Sequence, residues 1–181
     1  MNKIVKLTLI LFLVSAIIAG ILGLTNMVTE KPIAEYNERK TAEAYSAVMD
    51  FDSYDEVSYS GDRSEVTKVY KTNNGDWIVE AEVSGSQGMI TVAVGVNADL
   101  TCNGISIISS SETSGLGSKA SNAEFKDQFP GLTADQAKVT KDGGQINAIT
   151  GATITSRAVC TAVGAAIEAC LLYTSDAADD L

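Results

Sequence analysis

The chain has 181 residues, a formal net charge of -10 and no histidine. With a membrane segment set aside, that length leaves room for one domain of ordinary size. Acidity on this scale argues against nucleic acid as a partner, because neutralising phosphates needs clustered Lys and Arg. The missing histidine excludes Ser-His triads and histidine zinc sites. Lys3 and Lys6 open the chain, and the apolar stretch from Ile4 to Leu24 supplies the roughly 20 residues that cross a hydrocarbon core of about 30 Å. Residues 7–28 are expected to form a transmembrane anchor. A cleaved signal peptide is the competing reading. The apolar run is longer than the roughly 7 to 15 residues of a signal core, and no small-x-small cleavage site follows it. The first cysteine, Cys102, comes too late for a lipobox. Basic residues ahead of the span predict that residues 1–6 are cytoplasmic and the remainder extracytoplasmic.

Residues 29–62 read as a connector. Pro32 is followed by a polar stretch with a helical stripe (Ala34, Asn37, Ala44, Tyr45, Val48), and 51–62 is an acidic loop or edge segment bearing Tyr54 and Tyr59. The folded domain is expected over 63–170, where the period changes to that of strands. Val66 to Lys71 and Trp77 to Ser84 flank a turn containing Asn74-Gly75, a strong hairpin signal. Gly85 to Gly88 ends the second strand, Met89 to Val96 forms a third, and an Asn97-Ala98-Asp99 turn leads to a fourth over Ile105 to Ser109. Ser111 to Lys119 is a Gly-Ser loop without the spacing of a P-loop or a dinucleotide fingerprint. A short helix over 120–129 carries Phe125 and Phe129 at i, i+4 and stops at Pro130-Gly131. Residues 137–140 and 145–149 are expected to be two short strands about an Asp142-Gly143-Gly144 turn. The fold class is therefore α+β: an N-terminal transmembrane helix, then one domain with an antiparallel sheet flanked by helices. The three cysteines, Cys102, Cys160 and Cys170, have neither CxxC nor metal-ligand spacing and read as packing residues.

The stretch that organises the chain is Asn147 to Ser156. Gly151 and Ala152 carry almost no side chain, so a bulky group can approach the backbone, and four hydroxyls (Thr150, Thr153, Thr155, Ser156) crowd the turn. Ala158, Val159, Ala162, Val163, Ala166 and Ile167 then recur at helical spacing, with Thr155 or Ser156 placed to cap the helix. Such a helix start offers unpaired N–H groups and partial positive charge to a phosphate. The plainer alternative is a capped, small-residue helix packed on a sheet.

Thr150-Gly151-Ala152-Thr153 resembles the flavinylation motif, Ser or Thr followed by Gly-Ala-Thr, of the FMN-binding domain family. That domain occurs in the G subunit of the Rnf ion-translocating electron-transfer complex and in the C subunit of the sodium-translocating NADH:quinone oxidoreductase. The resemblance implies that Thr153 is joined to the FMN phosphate by a phosphoester, made by a flavin transferase that uses FAD, with Thr150, Gly151, Ala152, Thr155 and Ser156 beside it. The segment Glu112-Thr113-Ser114-Gly115-Leu116-Gly117 is similar to the family's Glu-Thr-Pro-Gly-Leu-Gly, which lies against the flavin. It implies Glu112, Thr113, Gly115, Leu116 and Gly117 as further cofactor contacts, with Leu116 packing on the ring system. The order of hairpin, strand, Asn-Ala-Asp turn and strand is also similar. Three positions depart: Asn147 stands where the family usually has Asp, Ser114 replaces Pro, and Leu100-Thr101-Cys102 precede Asn103-Gly104 where a glycine is expected directly.

What the resemblance implies is a membrane-anchored, extracytoplasmic flavoprotein, an electron-transfer subunit of a complex that moves electrons between ferredoxin and NAD and couples this to ion transport. Its implied partners are the other membrane subunits and the flavin transferase. A free-standing extracellular FMN-binding protein and a non-redox anchored binding module are the alternatives. The last residues, 171–181, break sharply from the alanine-rich helix and resemble the in-frame translation of a sequencing-library adapter. A genuine acidic tail is the other reading of that segment.

Overall fold

Alternating apolar residues dictate a sheet, and the sheet has five strands. A computed structural model of the chain describes residues 2–179, with side-chain surroundings through Thr174. The strands are β1 (Tyr54–Val57), β2 (Val66–Thr72), β3 (Trp77–Ser84), β4 (Met89–Val96) and β5 (Cys102–Ser110). They form an antiparallel meander in the order β1-β2-β3-β4-β5. The expected β3 and β4 are matched to the residue, and their ladder runs unbroken from Trp77↔Val96 to Ser84↔Met89. Gly75, with φ +90°, makes the β2–β3 turn. Of the two forms open to residues 51–62, loop or edge segment, the chain adopts the second and supplies the edge strand β1.

Two long helices complete the chain with α2, a single turn over Ala123–Lys126. α1 runs from Lys3 to Val48 without interruption, with Pro32 inside it, so no break separates span and connector. Residues 1–40 form one unit, and its apolar side chains from Ile4 to Val28 are exposed. Such a surface has no favourable place in water and matches a membrane anchor. Residues 41–181 form the second unit. It starts at Thr41, so it takes in the end of α1 and β1, which the sequence pattern places in the connector. The reason is packing: Ala44, Tyr45, Val48 and Met49 lie buried on the outer face of the sheet against Tyr70, Ile78 and Ala93.

α3 (Thr153–Asp179) covers the inner face. Its Ala158, Val159, Ala162, Val163, Ala166 and Ile167 meet Val69, Val79, Val92, Val94 and Val96 in the main core. Small residues on the helix allow close approach to a Val-rich surface, and with Ala44, Tyr45, Val48 and Met49 on the opposite side β4 is buried on both faces. α3 is also long and apolar enough to span a bilayer, but most of it is buried in this core. All three cysteines are free and buried there, and burial pushes each thiol up to about 12.

Two local expectations are corrected. The helix over 120–129 is a 3-10 turn (Gly117–Ser121) followed by α2, although Phe125 and Phe129 are buried edge to face at 5.4 Å as their spacing suggests. The paired strands over 137–149 are absent: Val139 and Ile146 make one parallel bridge around a 3-10 turn at Thr140–Asp142. Gly144 explains this, because its backbone lies against the Lys138 carbonyl group, with the Lys138 Cα only 2.6 Å from where a Cβ would stand. That contact folds the segment back too tightly for a ladder. The expected tail over 171–181 continues α3 to Asp179, and residues 180–181 lie outside the described residues.

Candidate functional site

The antiparallel meander puts the β3–β4 turn and the end of β5 at the same end of the sheet, and α3 begins there too. Three segments meet at a cleft of about 390 Å³, lined by Ser86 and Gln87, by Glu112, Thr113, Leu116 and Gly117, and by Gly151 to Thr155. The two stretches singled out in the sequence are therefore neighbours in space, although most of forty residues separate them in the chain. Of the anticipated residues, Glu112, Thr113, Leu116, Gly117, Gly151, Ala152, Thr153 and Thr155 line this cleft. Thr150 lines a separate cleft of about 410 Å³ on the other side of the turn, with Lys119, Asn122, Gln128 and Asn147. Gly115 sits in the loop at φ +79°, and Ser156 is fully buried behind the site.

The helix starts earlier than its hydroxyls suggest. α3 begins at Thr153, so Thr155 and Ser156 lie within its first turns and neither caps it. Ser156 accepts from the Ile149 N–H at 2.9 Å and donates to the Ala152 carbonyl at 3.0 Å, locking the turn from behind. Thr155 donates to Glu112 Oε2 at 2.8 Å. Two of the four hydroxyls are thus occupied within the fold. Those of Thr150 and Thr153 have no hydrogen-bond partner among the described residues, and only Thr153 faces the cleft at the helix start. The backbone N–H groups of Thr153, Ile154 and Thr155 likewise find no acceptor among the described residues, as the first turn of a helix requires. They make a seat for a phosphate directly beside the Thr153 hydroxyl.

Apolar parts complement this polar end. Gly151 has φ +80°, and a Cβ there would stand 3.2 Å from Leu116 Cδ2. Leu116 is 44% exposed and Ile154 59% exposed, so two large apolar side chains flank the cleft facing solvent. That pairing suits the flat face of an isoalloxazine ring next to a phosphate seat, and the residues present fit FMN. The Ser114 loop is held as a turn: the Thr113 carbonyl accepts from the N–H groups of Leu116 and Ser118, and Gly115 N–H donates to Ser118 Oγ at 2.9 Å. Ser118 supplies the order that a proline would otherwise give.

Glu112 is engaged at both oxygens. Oε1 accepts from the N–H groups of Ser86 at 2.6 Å and Gln87 at 3.1 Å, and Oε2 from Thr155. Desolvation pulls its pKa upward, but the three hydrogen bonds together outweigh it and hold the carboxyl below its ordinary range. Ser86, Gln87 and Ile154 are site residues that motif reading missed. The meander could have located the first two, since a β3–β4 turn must lie beside the end of β5.

Comparison with known proteins agrees with this geometry. Residues 85–168, which run from Gly85 through the first four turns of α3, match the FMN-binding domain family. The chain is 32% identical to the G subunit of the ion-translocating oxidoreductase complex of Methanosarcina acetivorans, over 92% of this chain and 94% of that one. It is 38% identical to the G subunit of the Na(+)-translocating ferredoxin:NAD(+) oxidoreductase complex of Acetobacterium woodii, over 90% and 89%. It is 35% identical to the G subunit of the proton-translocating ferredoxin:NAD(+) oxidoreductase complex of Clostridium ljungdahlii, over 93% and 90%. With a matching domain and near full-length similarity, the chain belongs to the G-subunit family of Rnf-type ion-translocating oxidoreductase complexes.

Proposed function

We propose that this chain is the anchored flavoprotein subunit of an Rnf-type complex, carrying FMN through a phosphoester on Thr153 and passing electrons between ferredoxin and NAD with coupled ion transport. The observation that carries the reading is the Thr153 hydroxyl, which has no hydrogen-bond partner among the described residues and lines the cleft at a helix start whose first three N–H groups also find no acceptor among them, with Leu116 and Ile154 alongside. FMN, when bound, supplies the redox chemistry, and the protein supplies position and electrostatics. Leu116 and Ile154 shield one side of the ring site, Gly151 lets the backbone come close, and the α3 N-terminus stabilises the phosphate by about 0.3 to 1 kcal/mol at such an exposed end.

A threonine hydroxyl is a poor nucleophile, and no base is hydrogen-bonded to Thr153 among the described residues. This supports maturation by a separate flavin transferase: Thr153 gives its oxygen to the flavin phosphate as FAD is split, and AMP leaves. Lys3 and Lys6 ahead of the span support a cytoplasmic N-terminus, a single pass and an extracytoplasmic flavin domain. A covalent tether suits that side of the membrane, where a lost cofactor would not be replaced.

The test is expression of the full chain together with a flavin transferase, followed by denaturing electrophoresis under ultraviolet light and intact-mass measurement. The wild type should give a fluorescent band and gain the mass of one FMN less one water. Thr153→Ala should lose both signals and Thr150→Ala should keep both. A fluorescent Thr153→Ala band would move the attachment elsewhere, and wild type without added mass would end the flavoprotein reading.

A further inference from the structure

We propose that Glu112 is a positioning residue, a latch that fixes the β3–β4 turn to the first turn of α3 and so sets the shape of the cleft before any cofactor arrives. The inference rests on the flavoprotein reading above and adds to it a role that involves no contact with the flavin. Its basis is geometric. One carboxylate bonds all three segments that line the cleft: it belongs to the loop after β5, takes the Ser86 and Gln87 N–H groups on Oε1, and takes the Thr155 hydroxyl on Oε2. No lone pair of it has to be offered to a ligand for it to be satisfied, since three donors already converge on it.

The surroundings are built around this carboxylate. A Cβ on Gly85 would collide with Glu112 Oε1 and stand 2.7 Å from Ile90 Cδ1. A Cβ on Gly117 would collide with Oε2 and stand 2.7 Å from Glu112 Cβ. Glycine on both flanks therefore clears the volume that the carboxylate occupies. Thr155 is two residues beyond Thr153 in the first turn of α3, so a bond that holds Thr155 also restrains the backbone of the helix start that carries Thr153. A charged acceptor for two backbone N–H groups and a hydroxyl belongs to the stronger class of hydrogen bonds. Removing it frees the turn and the helix start to move independently.

The test uses the full-length chain in detergent micelles, with wild type, Glu112→Ala, Glu112→Gln, Thr155→Val and Glu112→Ala/Thr155→Val. The first readout needs no flavin: hydrogen exchange at the Ser86 and Gln87 amides should speed up about tenfold or more in Glu112→Ala. In Glu112→Gln it should stay near wild type, because the carboxamide oxygen still accepts from both. The second readout is the initial rate of flavin attachment by the transferase with FAD. It should fall about tenfold or more in Glu112→Ala, since small misplacements carry large rate penalties. The double variant should fall no further than Glu112→Ala, as expected of two ends of one link. Unchanged melting of the core, read by circular dichroism, separates a local latch from general unfolding. Wild-type exchange and attachment rates in a folded Glu112→Ala would overturn the latch while leaving the flavoprotein reading intact. A wild type that takes no flavin would overturn the flavoprotein reading, and a labelled Thr153→Ala control would move the attachment elsewhere; in both cases wild-type amide exchange in Glu112→Ala is the result that overturns the latch. A Glu112→Ala chain that melts cooperatively only at much lower temperature would make Glu112 a general stability residue and overturn the positioning role.

Discussion

Ser156 and Thr153 are three residues apart and both carry a hydroxyl, yet the fold treats them oppositely. Ser156 is fully buried and joins the Ile149 N–H to the Ala152 carbonyl, so it fixes the turn that Gly151 makes at φ +80°. Replacing it by Ala leaves the Ile149 N–H without its partner, which costs about 1 to 3 kcal/mol. The expected outcome for Ser156→Ala is a stability loss in that range by urea unfolding, against a change within about 0.5 kcal/mol for the exposed Thr150→Ser. Equal stability of the two variants would mean that the buried serine does not hold the turn. The motif was legible from residue types, and the division of labour within it was not. Hydroxyl residues favour helix caps, and this preference pointed to Thr155 or Ser156. Their tertiary partners, Glu112 and the 149–152 turn, override it by drawing both side chains away from the cap position.

Among the elements, the sheet was the most readable and the helix termini the least. β3 lies between Gly75 and Gly85 and alternates in its second half, and β4 is an apolar run between Gly88 and the Asn97-Ala98-Asp99 turn, so pattern and punctuation agree. β1 was ambiguous because a four-residue edge strand, exposed on three positions, leaves almost no apolar pattern. The end of α1 became legible only with its cover: the Val48 carbonyl, left unpaired at the helix end, accepts from Asn103 Nδ2 at 2.7 Å. Asn103 belongs to the stretch that departs from the family's expected order, and this bond gives that stretch a structural use. Gly95 faces the same carbonyl from β4. A Cβ there would collide with the Val48 oxygen and stand 3.3 Å from Val48 Cβ. Gly95→Ala should therefore push the helix end off the sheet at a cost of about 1 to 3 kcal/mol, measured by urea unfolding. A neutral result would show that the α1 end yields freely and is not anchored at Val48.

At the scale of the whole chain, the boundary of the folded unit decides what an isolated flavin domain must contain. Patterning places it at residue 63, where strand periodicity begins, because the connector helix looks polar along most of its length. The compact unit starts at Thr41 instead. Tyr45 is 2% exposed and gives its hydroxyl to Glu80 Oε2 at 2.7 Å; burial, then that bond, raises its pKa. Tyr45, Tyr54 and Tyr70 also contact one another, with ring centroids 5.1 to 5.9 Å apart. A chain beginning at Arg63 loses Tyr45, Val48, Met49 and all of β1, and leaves Tyr70, Ile78 and Ala93 facing water. Burial of a large apolar side chain is worth about 1.5 to 3 kcal/mol, so the loss of three amounts to about 5 kcal/mol or more, comparable to the whole stability of many domains. A chain beginning at Thr41 keeps every one of these contacts. It should unfold cooperatively, whereas the chain beginning at Arg63 should melt at least about 10 °C lower or not fold at all. Differential scanning calorimetry of the two chains decides the matter, and matching transitions would show that the tyrosine cluster and the end of α1 are external to the fold rather than part of its core.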